Sequence, residues 1–266
     1  MDHPLLPLAD WFIGLPHIFC PTCSRGHLEK STDFTTQLSG QSLREREYAE
    51  DWDPDWIRGV FVGILTCSLT HCSERVAIVG DYEVVYMDTR SDASQEYAPW
   101  VSRYRLRFAR PAPLIVNCPP RTPPTVQNAA MAAATVIWTD PAGAAGRLRV
   151  AVEELMTAQR ISRSKLENKK GGGQRRVPRT AHERIKEFEL IKPDVAGVLM
   201  AVKWIGNSGS HKSGLSVQDV LDGAQMLSLA LRLLYDPSDA ELLRRAALVN
   251  RHRGPARRKA IVTSGP

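Results

Sequence analysis

GVFVGILTCSLTHCSERVAIV, residues 59–79, reads as two runs rich in β-branched residues on either side of a cysteine pair, Cys67 and Cys72. The first run, Gly59 to Thr66, leads into Cys67. The second, Arg75 to Val79, begins shortly after Cys72, so both cysteines belong to the turn between two strands. Upstream, Cys20-Pro-Thr-Cys23 is a second close pair, with Pro21 suited to a tight turn that aims both sulfurs at one point. Two such knuckles joined by an intervening segment make a zinc-ribbon arrangement, because Zn²⁺ takes four N or S ligands tetrahedrally and thiols lose their protons to bind it. A small sheet with few buried residues gains folding energy from such a clamp. The expected cofactor is one structural Zn²⁺ on Cys20, Cys23, Cys67 and Cys72, with His71 a rival to Cys72 for the fourth place. Four cysteines leave no open position of the kind a catalytic zinc needs. Cys118 has no local partner and reads as a small buried hydrophobe.

Working outward from the knuckles, Tyr82 to Met87 follows Gly80-Asp81, a dipeptide that signals a hairpin turn, and Trp100 to Ala109 alternates basic and apolar side chains. Thr32 to Asp55 reads as a long polar excursion. Residues 1–110 are therefore expected to form a β-rich, zinc-ribbon-like domain. Arg110 to Pro124 holds six prolines in 15 residues and cannot be helix, which makes 111–124 a connector. Helical patterns follow over Thr125 to Trp138, from Asp140-Pro141 to about Gln159, over Ala181 to Leu190 and over Asp194 to Ile205, where Gly206 fits a C-terminal stop. Ser216 to Tyr235 is the clearest helix, with Ser216 and Asp219 as a capping box. Lys165 to Arg179 is low-complexity and reads as flexible. The fold class is α+β: a β-rich half, then an all-α bundle over 125–237 and a basic tail over 238–266, with a short helix from about Ala240 to Asn250.

The chain has 266 residues, 43% hydrophobic and 24% charged, an ordinary composition for a globular protein. No apolar run reaches the roughly 20 residues of a membrane span, and the start carries no secretory signal, so a cytoplasmic location is expected. The net charge of +6 is unevenly spread: Arg160 to Lys186 carries +8, everything after Glu241 carries +7, and the remainder is about −9. Two basic segments on an acidic body suit a polyanion such as nucleic acid. The candidate contacts are Lys169, Lys170, Arg175, Arg176 and Arg179 in the first segment and Arg251, Arg253, Arg257, Arg258 and Lys259 in the second.

Lys203-Trp-Ile-Gly-Asn-Ser-Gly-Ser-His211 joins the two best helices, and its polar side chains and glycines suit a tight junction. His211 has the pKa range of a general acid or base, while the bland assignment makes it and Asn207 structural groups at helix ends. With the proline-rich entry, LRVAVEELM and VKWIGNSGSHKSGLSVQDVLDGAQMLSLALRLLYD, this stretch resembles the bacterial domain of unknown function 4145, itself similar to the all-helical HEPN superfamily. The resemblance implies a HEPN-like helical fold, an association with anti-phage defence genes and a homodimer or partner protein. Many HEPN domains are ribonucleases that pair an Arg with a His; here Gly206 stands in the place of that Arg, beside Asn207 and His211. The expected function is thus a non-catalytic binding or sensing module. The alternatives are a metal-independent ribonuclease using His211 and a structural dimerising subunit.

Overall fold

A computed structural model describes residues 3–87, 100–168, 172–208, 214–252 and 254. Its elements are β1 (Leu28–Lys30), β2 (Thr35–Leu38), α1 (Gly40–Tyr48), β3 (Arg58–Cys67), β4 (Arg75–Tyr86), β5 (Trp100–Arg110), α2 (Pro124–Ala134), α3 (Pro141–Ala158), β6 (Ser164–Asn168), β7 (Gln174–Pro178), α4 (Ala181–Glu189), α5 (Pro193–Ser208), α6 (Val217–Tyr235) and α7 (Ser238–His252). The protein is mixed α/β: a curled antiparallel sheet followed by helices.

In the sheet, β3 pairs with β4 and β4 with β5, while β1 and β2 both pair with β3, one beyond the other. Alternation decides the faces. Phe61, Leu65 and Cys67 on β3 and Val76 and Ile78 on β4 point inward and are buried. The curl closes on an aromatic cluster: Phe34 and Tyr104 each pack about 5 Å from Phe61, and Phe12 meets it edge-on at 6.3 Å. Phe12 also exchanges both backbone hydrogen bonds with Tyr104, so the N-terminal segment covers part of the free edge of β5.

Gly80-Asp81 is not a hairpin turn. β4 runs straight through it, and a bulge in β5 sits opposite, where the register passes from Val79↔Phe108 to Gly80↔Leu106. The glycine is there for close approach: a Cβ on Gly80 would stand 2.0 Å from the Arg105 carbonyl oxygen and 2.6 Å from the Phe61 ring. The polar excursion over 32–55 contains β2 and α1, which is capped by the Ser39 hydroxyl.

The helical half is built on α3, α5 and α6, whose Leu148, Leu155, Leu199, Leu221, Leu227 and Leu231 are fully buried. Asp140 caps α3 by accepting from the Gly143 amide at 2.8 Å, and the predicted Ser216/Asp219 box caps α6. This half is not all-α. Lys165 to Arg179, read from sequence as flexible, contributes the β6–β7 hairpin, with Gly172 and Gly173 in the left-handed region (φ +88° and +82°) at its return. Gly206 is likewise not a helix stop: α5 continues to Ser208, and Gly206 is buried where a Cβ would lie 2.8 Å from Arg149 Cβ and 3.0 Å from the Ala145 oxygen.

The two halves share one continuous core through Ile115 and Val116 of the connector. His3 fastens the N-terminus there: its Nε2 donates to the Ile115 carbonyl at 2.9 Å while its Nδ1 accepts from the Leu5 amide. The Asn117 amide donates to Ser228 of α6 at 2.9 Å. No described helix is long and apolar enough to cross a membrane.

Candidate metal centre

The two knuckles turn out to be the same turn. In the first, the Ser24 amide donates to the Cys20 carbonyl four residues back, and Ser24 adopts a left-handed backbone (φ +53°). In the second, the Ser73 amide donates to the Leu69 carbonyl, and Ser73 is left-handed too (φ +47°). Cys23 and Cys72 therefore occupy matching positions, each just before the left-handed serine. Leu69 stands where the first knuckle has Cys20. The missing sulfur is supplied from two residues further back, by Cys67 at the end of β3, which accounts for the wider spacing of the second pair.

These turns bring four sulfurs together. Cys20 Sγ lies 3.8 Å from Cys72 Sγ and Cys23 Sγ lies 3.7 Å from Cys67 Sγ, and all four fall within 4.8 Å of one another. A disulfide would need about 2.05 Å. A tetrahedron with metal–sulfur bonds of about 2.3 Å has edges of about 3.8 Å, so the set fits a tetrahedral metal of zinc's size. Cys72 rather than His71 belongs to the cluster, and the His71 side chain is exposed. Gly26 makes room for Cys67: a Cβ there would stand 2.5 Å from Cys67 Sγ. The Thr22 hydroxyl donates to Glu74 at 2.6 Å and ties one knuckle to the other.

The electrostatics of the set also ask for a cation. Backbone N–H groups of Gly26 and Arg25 point at Cys23 and pull its thiol down to about 6. Cys67 moves the other way: the Leu69 amide favours its thiolate, but burial and the neighbouring sulfurs, Cys23 first, push it up to about 12. Cys72 is raised as well, burial and the sulfurs of Cys23 and Cys20 outweighing the Glu74 amide. Cys23 and Cys67 are thus pushed in opposite directions. A dication at their centre removes the conflict, since a coordinating thiol is deprotonated outright.

The other predicted site residues fare differently. Asn207 is half-buried in the last turn of α5, whereas His211 lies outside the described residues. Lys169, Lys170, Arg253, Arg257, Arg258 and Lys259 also lie outside them. Arg251 is exposed on α7. In the hairpin, Arg175 pairs with Glu167 at 3.5 Å, Lys165 with Glu183 at 2.6 Å, and Arg179 with Glu187, so much of that segment's charge is spent within the molecule. Arg176 is exposed and, among the described residues, has no carboxylate partner. Arg184, counted in the same basic segment, is buried and donates to the carbonyls of Glu153 and Ile161 and to the Thr157 hydroxyl, near the C-terminal end of α3. Nothing in its sequence context sets it apart from its solvated neighbours. Cys118 is half-buried in a cleft of about 660 Å³ between the first knuckle, the connector and α2, and burial pushes its thiol up to about 11, which keeps it protonated.

No curated protein and no solved structure matches the chain. Two family models do: residues 14–109 match one described as Domain of unknown function (DUF8608), and residues 131–252 match one described as Domain of unknown function (DUF4145).

Proposed function

We propose that the protein is a non-catalytic binding module, in which a structural Zn²⁺ staples the two knuckles of a ribbon-like sheet, a HEPN-like helical domain follows, and basic surfaces engage an anionic polymer. One observation carries the reading. The four sulfurs face one another at tetrahedral spacing, so a zinc held there has every position taken by protein and holds the sheet rather than a substrate. Bacterial anti-phage defence is the setting that the helical resemblance suggests. Purified protein is expected to hold close to one zinc per chain and to bind nucleic acid with a steep salt dependence, because each neutralised phosphate releases counterions. Truncation at Arg251 is expected to weaken that binding and to flatten its salt slope. Protein that is zinc-loaded and folded yet indifferent to polyanions at low salt overturns the reading.

A second reading, a metal-independent ribonuclease using His211, draws on Lys203. Its side chain is buried with the ammonium over the Trp204 ring, and burial and the nearby Arg149 lower its pKa. Among the described residues it has no hydrogen-bond acceptor. The two readings part on His211→Ala. A ribonuclease loses RNA cleavage at unchanged melting temperature, whereas a binding module has no cleavage to lose.

A further inference from the structure

An antiparallel sheet with one face on the core usually turns polar side chains outward. At the centre of the sheet here the outward side chains are apolar instead. Val60, Val62 and Ile64 of β3 and Phe108 of β5 all point outward and are between 40% and 48% exposed, with Val79 of β4 between them in the Val62–Val79–Phe108 row. An apolar patch of this kind with a charged rim marks an interaction surface. The rim is strongly basic. Outward positions on the sheet carry Arg58, Arg75, Arg103, Arg105, Arg107 and Arg110 against Glu29, Asp81 and Glu83. The bulge opposite Gly80 adds to this by turning Arg107 to the outer side, where it pairs with Asp81 at 2.7 Å. Glu83 is neutralised twice, by Arg103 and by Arg58 at 3.0 Å. Arg75, Arg105 and Arg110 have no carboxylate partner among the described residues.

The same face has a recess. Trp11 is on the segment that covers the edge of β5, and the Arg103 guanidinium sits over one face of its ring, 5.1 Å from the centroid. Beside it opens a cleft of about 360 Å³, walled by Trp11, Gln37, Arg58, Val60, Asp81 and Glu83. That volume is within the range of small-ligand sites, roughly 300–1,000 Å³. A flat aromatic wall, the Arg58 guanidinium, the Gln37 amide and two carboxylates offer what a nucleobase needs: a stacking surface with donors and acceptors around its edge.

We propose that the outer face of the sheet binds single-stranded nucleic acid, its arginines on the phosphates, Phe108 under a base and one further base in the cleft beside Trp11. The proposal rests on the binding-module reading and names the surface and the partner. Charge complementarity selects a polyanion and argues against a second copy, whose identical face would bring the same positive charge. The exposed apolar centre selects unpaired bases, because a duplex keeps its bases stacked inside and presents only phosphates to a flat sheet. From Arg58 to Ile64 the face is about 20 Å long, and four strands make it about 14 Å wide, room for a few nucleotides.

Fluorescence anisotropy on the full, zinc-loaded chain tests this, with labelled 12-nucleotide oligouridylate, oligothymidylate and an RNA duplex of equal length. The single strands are expected to bind several-fold tighter than the duplex. Phe108→Ala is expected to weaken them by about fivefold or more, the scale of one stacked base. Arg105→Glu with Arg110→Glu should weaken them at least tenfold and make the salt slope shallower by about 1.4, two single-strand phosphates. Leu190→Ala, at an exposed apolar side chain of the helical half, is the matched control, and melting temperatures confirm that each variant is folded. If nucleic acid binds but these face variants match wild type while the tail truncation does not, the proposal falls and the binding-module reading stands. Equal affinity for duplex and single strand removes the stacking role and overturns it. So do face variants that change only self-association, or only binding to anionic vesicles, with nucleic-acid affinity untouched. If no nucleic acid binds at all, both readings fall together.

Discussion

In the sheet half, four sulfurs sit together beside an aromatic cluster on Phe61 and a few buried aliphatic side chains, Leu28, Leu65, Val76 and Ile78 among them. The helical half closes without such help, on leucines and alanines of α3, α5 and α6 that are shut off from solvent along their whole length. The difference is one of concentration. Stabilisation by a tetrahedral metal gathers in one point, of order 10–16 kcal/mol of apparent binding energy in small zinc peptides, and is lost as a unit. Stabilisation by a helical core is spread over many side chains and is lost in portions. With the proposed zinc in place, the sheet half could leave its outer face apolar and open, since its integrity would not depend on covering it.

The largest effect expected is from Cys20→Ser or Cys67→Ser. Elemental analysis should fall from about one zinc per chain to none, with soluble yield falling alongside. A zinc-free variant that melts like wild type would break the contrast at its root. Next comes Leu227→Ala in α6, for which urea unfolding should register a loss of about 2–5 kcal/mol with zinc content unchanged. Loss of zinc in this variant would mean that the halves unfold as one unit through their shared core.

Two glycines of α5 sharpen the helical side. Gly206→Ala forces a methyl group against Arg149 and the Ala145 carbonyl and should destabilise by about 1–3 kcal/mol in denaturant titration. Gly197→Ala meets nothing within 4 Å and should stabilise by about 0.5–1 kcal/mol through helix propensity alone. The smallest effect belongs to the hairpin. The Lys165 ammonium, then the Thr180 amide and hydroxyl, hold Glu183 down to about 2. An unfolded glutamate titrates at about 4.3, so the contribution is complete above that value and is lost as the pH falls from there through about 2. Glu183→Gln should lower the melting temperature slightly at neutral pH and remove that acid limb from its pH profile. An unchanged acid limb would detach the hairpin from α4.

What the sequence made legible was whatever rested on local chemistry. The four cysteines could be paired by eye because close spacing and strand ends are neighbours in the chain, and the Ser216/Asp219 cap is a three-residue signal. Gly80-Asp81 was misleading for the opposite reason. Its dipeptide is a turn signal, but the glycine answers to the Arg105 carbonyl and the Phe61 ring, which no window around it contains. Gly206 answers to α3 in the same way. The hairpin was obscured by its charge: runs of Lys and Arg look solvated until Glu167, Glu183 and Glu187 are seen to meet them. The arginines of β5 were visible as an alternation, yet only strand pairing shows that one face collects them.

The repeated turn at Cys20–Ser24 and Leu69–Ser73 bears on how such proteins are to be recognised. A pattern search that demands the same cysteine spacing in both knuckles passes over this chain. The invariant unit is a five-residue backbone shape: an acceptor carbonyl, two spacers, a cysteine and a left-handed small polar residue. The remaining sulfur is free to come from the turn itself or from the strand that feeds it. Relatives should then vary in the gap before the acceptor carbonyl, where an inserted residue only lengthens a strand, and hold constant the stretch after it. Aligning such chains on the left-handed serine instead of on the first cysteine would bring divergent knuckles into register.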